Sequence, residues 1–250
     1  MRGVNMLGLV SISFRGSTPA EIINAVKKAG LNAIEWGGDI HVPHGDTKKA
    51  DEVCRMCKDF GISIPEYGSY YIIGQSEHDL YKKVIESCHA LETDCVRVWP
   101  LQGKCGDTVD SALYEKCVAD AAAICDEDKS ITVCLECHPM SLTDEYHNAL
   151  RFLRDVGRGN LKMFWQPNQY KPFDYNTDAA KALKDYVKSV HTFSWDRERH
   201  YPLEKMEKEW GEYISILGRD KNYMLEFMHD GKIESLDSTA ETLKSLFIGQ

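Results

Sequence analysis

The sequence predicts an α/β protein: a single (β/α)8 barrel, one domain over residues 1–250. Three observations predict it. Strand-like and helix-like segments alternate without a break, eight of each. Strict alternation implies parallel strands joined by right-handed crossovers. The length is the usual size of one closed barrel. Neither GxGxxG nor a GxxxxGK(S/T) loop occurs, which argues against the main alternative, a nucleotide-binding doubly wound open sheet.

The elements run in order along the chain. LGLVSISF at residues 7–14 reads as the first strand. Thr18, Pro19 and Glu21 then supply an N-cap, a proline at the first helical position and a capping-box acid. Ile22, Ile23, Val26 and Ala29 form an apolar stripe at helical spacing, and Gly30 stops it. NAIEW (32–36), ISIPEY (62–67) and CVRVW (95–99) are the next three strands. ITVCLE (131–136), LKMFWQ (161–166), VKSVHTF (187–193) and NYMLEF (222–227) are the last four. Amphipathic stretches at 46–60, 77–92, 109–127, 143–156, 177–186 and 203–217 lie between strands, and one at 235–248 closes the chain. Ser76, Glu77 and Asp79 suggest a weaker cap, and Ser238 and Glu241 a capping box for the last helix. No linker, low-complexity tract or composition break divides the chain.

Composition bounds the function. A net charge of −9 leaves no basic surplus to displace counterions from a nucleic-acid backbone, so nucleic acid is not expected as a partner. The apolar runs are too short to span a bilayer, and the N-terminal MRGVNMLGLVSISF lacks the long apolar core and cleavage site of a secretory leader. A soluble cytoplasmic protein without membrane partners is expected. The nine cysteines are odd in number and scattered, unlike a secreted disulfide framework. The two CxxC pairs, Cys54/Cys57 and Cys134/Cys137, read as free thiols used as small apolar residues.

The chemistry gathers at strand ends. Glu136, Gln166, His191 and Glu226 stand at or next to the C-terminal ends of strands five to eight, where barrels of this kind build their sites. Two carboxylates, an imidazole and an amide oxygen suit one hard divalent ion, Mn2+ or Mg2+ foremost, with Co2+ and Zn2+ able to fill the same site. Such an ion polarises a carbonyl or hydroxyl pair and makes the adjacent C–H acidic. Glu136 and Glu226, on opposite sides of it, could remove and return a proton. His138, Arg197 and the ring faces of Trp36, Trp99, Trp165 and Trp195 crowd the same rim, and Trp99 suits the apolar face of a sugar. Glu66 is expected to end the third strand, and His41 and His44 to lie in the loop after the second; Glu66 and His41 are candidate substrate contacts.

From GLVSISF through NAIEWGGDIHVPHG and CLECHP to HTFSWDR and MLEF, the chain resembles the xylose isomerase-like TIM barrels, in particular the sugar phosphate isomerase/epimerase group. That group includes ketose 3-epimerases, hydroxypyruvate isomerases and inosose dehydratases. The resemblance implies a metal held by residues of strands five to eight. Glu136, His191 and Glu226 match the family pattern, with Glu136 and Glu226 as the acid–base pair and Arg197 as a substrate contact. Strand six departs: the pattern has Asp and, three residues on, His, whereas this chain has Gln166 and Gln169. The reading is an isomerase or epimerase of a small carbohydrate, working through an enediolate. The alternative is a lyase or dehydratase on a keto-sugar, keto-inositol or 3-keto-glycoside. A non-catalytic sugar-binding barrel and an apurinic-site endonuclease complete the set, the latter disfavoured by the acidic charge. Family members are often dimers or tetramers, so a homo-oligomer is an open expectation.

Overall fold

A computed structural model describes residues 6–248; the first five residues of the weakly apolar N-terminal stretch lie outside the described residues. Eight parallel strands close into one barrel in sequence order, and each is followed by a helix. The strands are β1 Leu7–Val10, β2 Ala33–Gly37, β3 Tyr67–Ile73, β4 Cys95–Pro100, β5 Thr132–Glu136, β6 Leu161–Trp165, β7 Val187–Thr192 and β8 Asn222–Leu225. The helices are α1 Pro19–Lys28, α2 Thr47–Phe60, α3 His78–Leu91, α4 Ser111–Glu127, α5 Tyr146–Val156, α6 Phe173–Leu183, α7 Glu207–Leu217 and α8 Leu236–Ser245. None of the described helices is long and apolar enough to cross a membrane.

Local chemistry explains most boundaries. Thr18 Oγ1 accepts the Glu21 N–H and Glu21 Oε2 accepts the Thr18 N–H, which completes the expected capping box at α1. Ile22, Ile23 and Val26 bury against the barrel, and Gly30 takes the left-handed conformation (φ +69°) past the helix end. The nine cysteines are free, and seven of them are buried. Cys54 and Cys57 sit on the buried side of α2.

Four of the departures from expectation have a local cause. The first strand stops at Val10, and Ser11–Phe14 is a 3-10 turn instead. Ser11 Oγ there accepts the Gly37 N–H (2.9 Å) and lies 3.0 Å from His41 Nδ1, so its side chain serves the neighbouring loop. The third strand begins where the expected one ends. Pro65 has no N–H for a ladder, Ser63 before it makes an isolated bridge to Ala33, and continuous pairing starts at Tyr67. Helix α6 starts four residues earlier than 177, at Phe173 right after Pro172, whose fixed φ suits a helix entry. Helix α8 starts at Leu236, so Ser238 and Glu241 lie within it. No capping box forms there, and the Ser238 and Thr239 hydroxyls donate to the Ser235 carbonyl.

Alternation along each strand splits the barrel wall. Val133 and Leu135 face the helical layer in the main core, while Cys134 joins Cys95 and Phe164 in a small interior cluster. One step further along the same interior rows come Arg97 and Glu136. The upper interior of this barrel is charged.

Candidate active site

Glu136 is the last residue of β5, Gln166 follows β6, His191 is the next-to-last residue of β7, and Glu226 follows β8. All four are buried. Single ligand atoms of Glu136, His191 and Glu226 lie within 4.8 Å of one another. His191 Nδ1 is 3.3 Å from Gln166 Oε1, 3.7 Å from Glu226 Oε2 and 3.8 Å from Glu136 Oε1. Ligands around a small octahedral ion sit about 3 Å apart when adjacent and a little over 4 Å when opposite. The observed spacings fall in that range, and the donor set of two carboxylates, an imidazole and an amide oxygen is of the right hardness. The residues fit a divalent ion.

Two charged residues that the strand patterns did not single out complete the cluster. Glu35, in the middle of β2, and Arg97, in the middle of β4, are buried. Arg97 Nη1 donates to Glu136 Oε2 at 2.6 Å, and Arg97 Nε donates to Glu35 Oε1 at 3.2 Å. The second Glu35 oxygen, Oε2, lies 2.7 Å from His191 Nε2. A lone acid inside NAIEW and a lone base inside CVRVW were the available signal. Each interrupts a short apolar strand with a charge that burial penalises unless a partner of opposite sign waits inside.

The electrostatics stem from this packing. Burial acts to raise the Glu35 carboxyl, but His191 and Arg97 outweigh it and hold the group below the ordinary carboxylate range. Burial opposes charge on His191, yet Glu35, Glu226 and Glu136 together raise the imidazole to about 9. Glu226 is pushed up to about 7 by burial and by the nearby Glu136 and Glu35, against the pull of His191 and Arg97. Arg97 stays charged in spite of burial, because Glu136 and Glu35 flank it.

The other expected site residues scatter. His138 is half-buried and stacks on Trp99 with ring centroids 4.5 Å apart. Trp99 and Tyr70 in turn lie beside the Arg97 guanidinium, at 6.0 and 5.4 Å. These rings wall the mouth above the charged cluster. His41 is buried, with Nδ1 on Ser11 and Nε2 without a protein partner. Arg197 is exposed and reaches across to donate to the Tyr170 carbonyl (3.1 Å) rather than to the ligand cluster. The Gln169 amide oxygen is buried without a protein partner; the residue lines a side cavity of about 520 Å³ with Trp195, Phe173 and Tyr201. Glu66 does not end a strand. It precedes β3 and so lies at the strand's N-terminal end, fully buried, where Ser189 Oγ (2.6 Å) and Asn222 Nδ2 (3.1 Å) donate to its two oxygens. Burial and the charge of Glu35 push it up to about 7.

Comparisons with known proteins agree with this architecture. A family model described as the xylose isomerase-like TIM barrel matches residues 23–246. Among curated proteins none matches the chain. Among solved structures, the probable 3-DHS dehydratase AsbF of Bacillus anthracis, involved in petrobactin synthesis, superposes with a TM-score of 0.80 at 18% identity, covering 96% of this chain and 98% of its own. D-psicose 3-epimerase of Clostridium cellulolyticum H10 gives 0.70 at 15% identity, over 97% and 98%. A xylose isomerase domain protein of Planctomyces limnophilus gives 0.75 at 14% identity, over 98% of each chain.

Proposed function

Because the chain belongs to the xylose isomerase-like TIM barrel family, we propose that it is a metal-dependent enzyme moving a proton next to a carbonyl of a small carbohydrate, an isomerase or epimerase. The observation that carries this reading is the convergence of Glu136, His191 and Glu226 within 4.8 Å at the C-terminal mouth of the barrel. Glu136, Glu226, His191 and the Gln166 amide oxygen would hold one divalent ion, Mn2+ or Mg2+ foremost. Bound there, the ion would supply Lewis-acid polarisation of the substrate oxygens.

The side chains supply the rest. Glu226, a carboxyl group reaching the cluster from the end of β8, is suited to giving the proton back. Glu136 has one oxygen fixed by Arg97 and the other turned to the cluster, so it is suited to accepting the proton from the opposite side. Trp99, with His138 stacked on it, offers a flat wall for the apolar face of a ring and helps keep water out. His138, Trp99, Arg197, Gln169 and His41 are the proposed substrate contacts. Arg197 would have to leave the Tyr170 carbonyl to serve as one.

One observation favours a second reading, a lyase or dehydratase. Of the superposed structures described above, the probable 3-DHS dehydratase AsbF matches at a TM-score of 0.80 and the D-psicose 3-epimerase at 0.70. Both readings share the proton-abstraction step and diverge only after it. The test is a panel of ketoses, keto-inositols and keto-glycosides assayed with Mn2+ and after chelation, in deuterated water. Deuterium at one carbon of an isomeric product marks epimerisation, and an ultraviolet-absorbing enone marks elimination. Full activity after exhaustive chelation would defeat both. Glu136→Gln and Glu226→Gln should each abolish turnover and leave the far-ultraviolet circular dichroism unchanged.

A further inference from the structure

Glu35 is an acid in the middle of a five-residue strand whose every residue is buried. As a plain ion pair with Arg97 it would be a costly ornament, since taking both charges out of water often offsets their attraction. The geometry gives it a more specific task. Its two oxygens are divided between two partners, Oε1 to Arg97 Nε and Oε2 to His191 Nε2 at 2.7 Å. An imidazole has two nitrogens. With Nε2 spoken for, Nδ1 is the one left to face Gln166, Glu136 and Glu226. Histidines that bind metals commonly give their second N–H to a carboxylate, which fixes the tautomer and the ring orientation.

The brace extends further. Through Arg97, Glu35 is tied to Glu136 Oε2, which leaves Glu136 Oε1 facing His191. One chain of hydrogen bonds thus orients ligands from β5 and β7 using side chains from β2 and β4. The barrel also makes room for it. Gly68 on β3 is not in a left-handed conformation, so no backbone requirement calls for glycine there. A Cβ at Gly68 would lie 2.5 Å from Glu35 Oε1 and 2.9 Å from an Arg97 guanidinium nitrogen. The missing side chain is the space this pair occupies.

We propose that Glu35 is a positioning residue for the metal centre: it accepts the His191 Nε2–H and so commits His191 to bind the ion through Nδ1, with Arg97 coupling the same brace to Glu136. The inference rests on the reading of Glu136, His191 and Glu226 as a metal site. Two measurements test it. The first is Mn2+ affinity, by electron paramagnetic resonance titration, for the wild type, Glu35→Ala and Glu35→Gln. Loss of an outer-shell partner should weaken Glu35→Ala about 10- to 100-fold. Glu35→Gln, whose amide oxygen can still accept the Nε2–H, should lie closer to the wild type. The second is a long-range 1H–15N spectrum of the 15N-histidine-labelled wild type, with the same spectrum of both variants for comparison, each loaded with Zn2+ as a diamagnetic probe and with His191 assigned by its loss in His191→Ala. Nδ1 should be metal-bound and Nε2 should carry a slowly exchanging proton.

Equal affinity of Glu35→Ala and the wild type would overturn the proposal and leave the metal site standing. Equal weakening of Glu35→Ala and Glu35→Gln, with Nδ1 ligation kept in both, would reduce Glu35 to a source of charge and also overturn it. Ligation through Nε2 in the wild type overturns it even if neither variant folds. A wild type that binds neither Mn2+ nor Zn2+ removes the metal reading and the proposal together.

Discussion

Replacing Arg97 by Met keeps most of the stem volume and deletes a buried cation that serves two buried carboxylates, Glu35 at 3.2 Å and Glu136 at 2.6 Å. The Arg97 side chain is 2% exposed and the two acid side chains are 0% and 5% exposed, so water cannot take over its role. Removing one partner of such a pair costs about 3–5 kcal/mol, because the remaining charge is left unpaired in a poor solvent. Against a total stability of roughly 5–15 kcal/mol that is a large share. For a chain of this size it lowers Tm by roughly 6–20 °C. The sign of the pH dependence is set as well. Without Arg97, burial of Glu35 is opposed by His191 alone, so that carboxyl's folded-state affinity for protons rises. Protonation then relieves the mismatch at low pH, and the deficit grows as pH rises. Thermal melts and urea unfolding in a chelating buffer at pH 5.5 and pH 8, with unchanged m-value as the check on two-state behaviour, measure both effects. A Tm within about 2 °C of the wild type at pH 8, or a deficit equal at the two pH values, would refute the assignment of Arg97 as the cluster's essential cation.

Three further outcomes are expected. In the metal-free wild type, Glu66 and Glu226 at about 7 bind protons that their unfolded counterparts have lost by then, and His191 does the same up to about 9. These three groups therefore bind more protons in the folded form between about pH 4.5 and 9 and their contribution to stability falls across that window, opposed by His41, His44 and His200, which burial shifts the other way, and Glu66→Gln should remove the part of that fall due to Glu66 while leaving Mn2+ affinity unchanged, both read by titration calorimetry and thermal melts. Gly68→Ala should push the Glu35–Arg97 pair apart and lower stability by about 1–3 kcal/mol, measurable by urea unfolding; a neutral effect would mean the interior has slack at that point. Thr18→Ala removes the side-chain half of the capping box at α1 and should cost about 1 kcal/mol without touching metal binding, as checked by the same melts and Mn2+ titration.

The periodic parts of the fold were legible in the sequence because each depends on neighbours within a few residues. The α1 cap, the left-handed Gly30 and the buried stripe between them come from local hydrogen bonding and sterics. The strand ends carrying Glu136, Gln166, His191 and Glu226 were legible for the same reason, since each closes a short apolar run. Glu35 and Arg97 were hidden because their meaning is non-local: they are 62 residues apart and meet only once the barrel closes. Glu66 was misplaced by one proline. ISIPEY has the composition of a strand, but Pro65 cannot join the ladder, so pairing starts one residue after Glu66 and moves that acid from the mouth to the lower interior.

The Glu35–Arg97 pair also changes how Gln166 is understood. Taken against the family pattern alone, an amide in place of an acid removes a charge from the metal site and should weaken it. The cluster has other charges. Glu35, Glu136 and Glu226 against Arg97 leave two formal negative charges when His191 is neutral, which is what a divalent ion would balance. An acid at position 166 would add a third, unmatched charge 3.3 Å from the imidazole. In the metal-free protein protons make up the same difference, which is why His191 binds one up to about pH 9 and Glu226 up to about 7. Metal binding should therefore release protons between about pH 6 and 8. Calorimetric titration of Mn2+ in two buffers of different ionisation enthalpy would count them, and Gln166→Glu should release more at the same pH. Binding with no proton release at neutral pH would show that the ion, if it binds, goes somewhere other than among these residues.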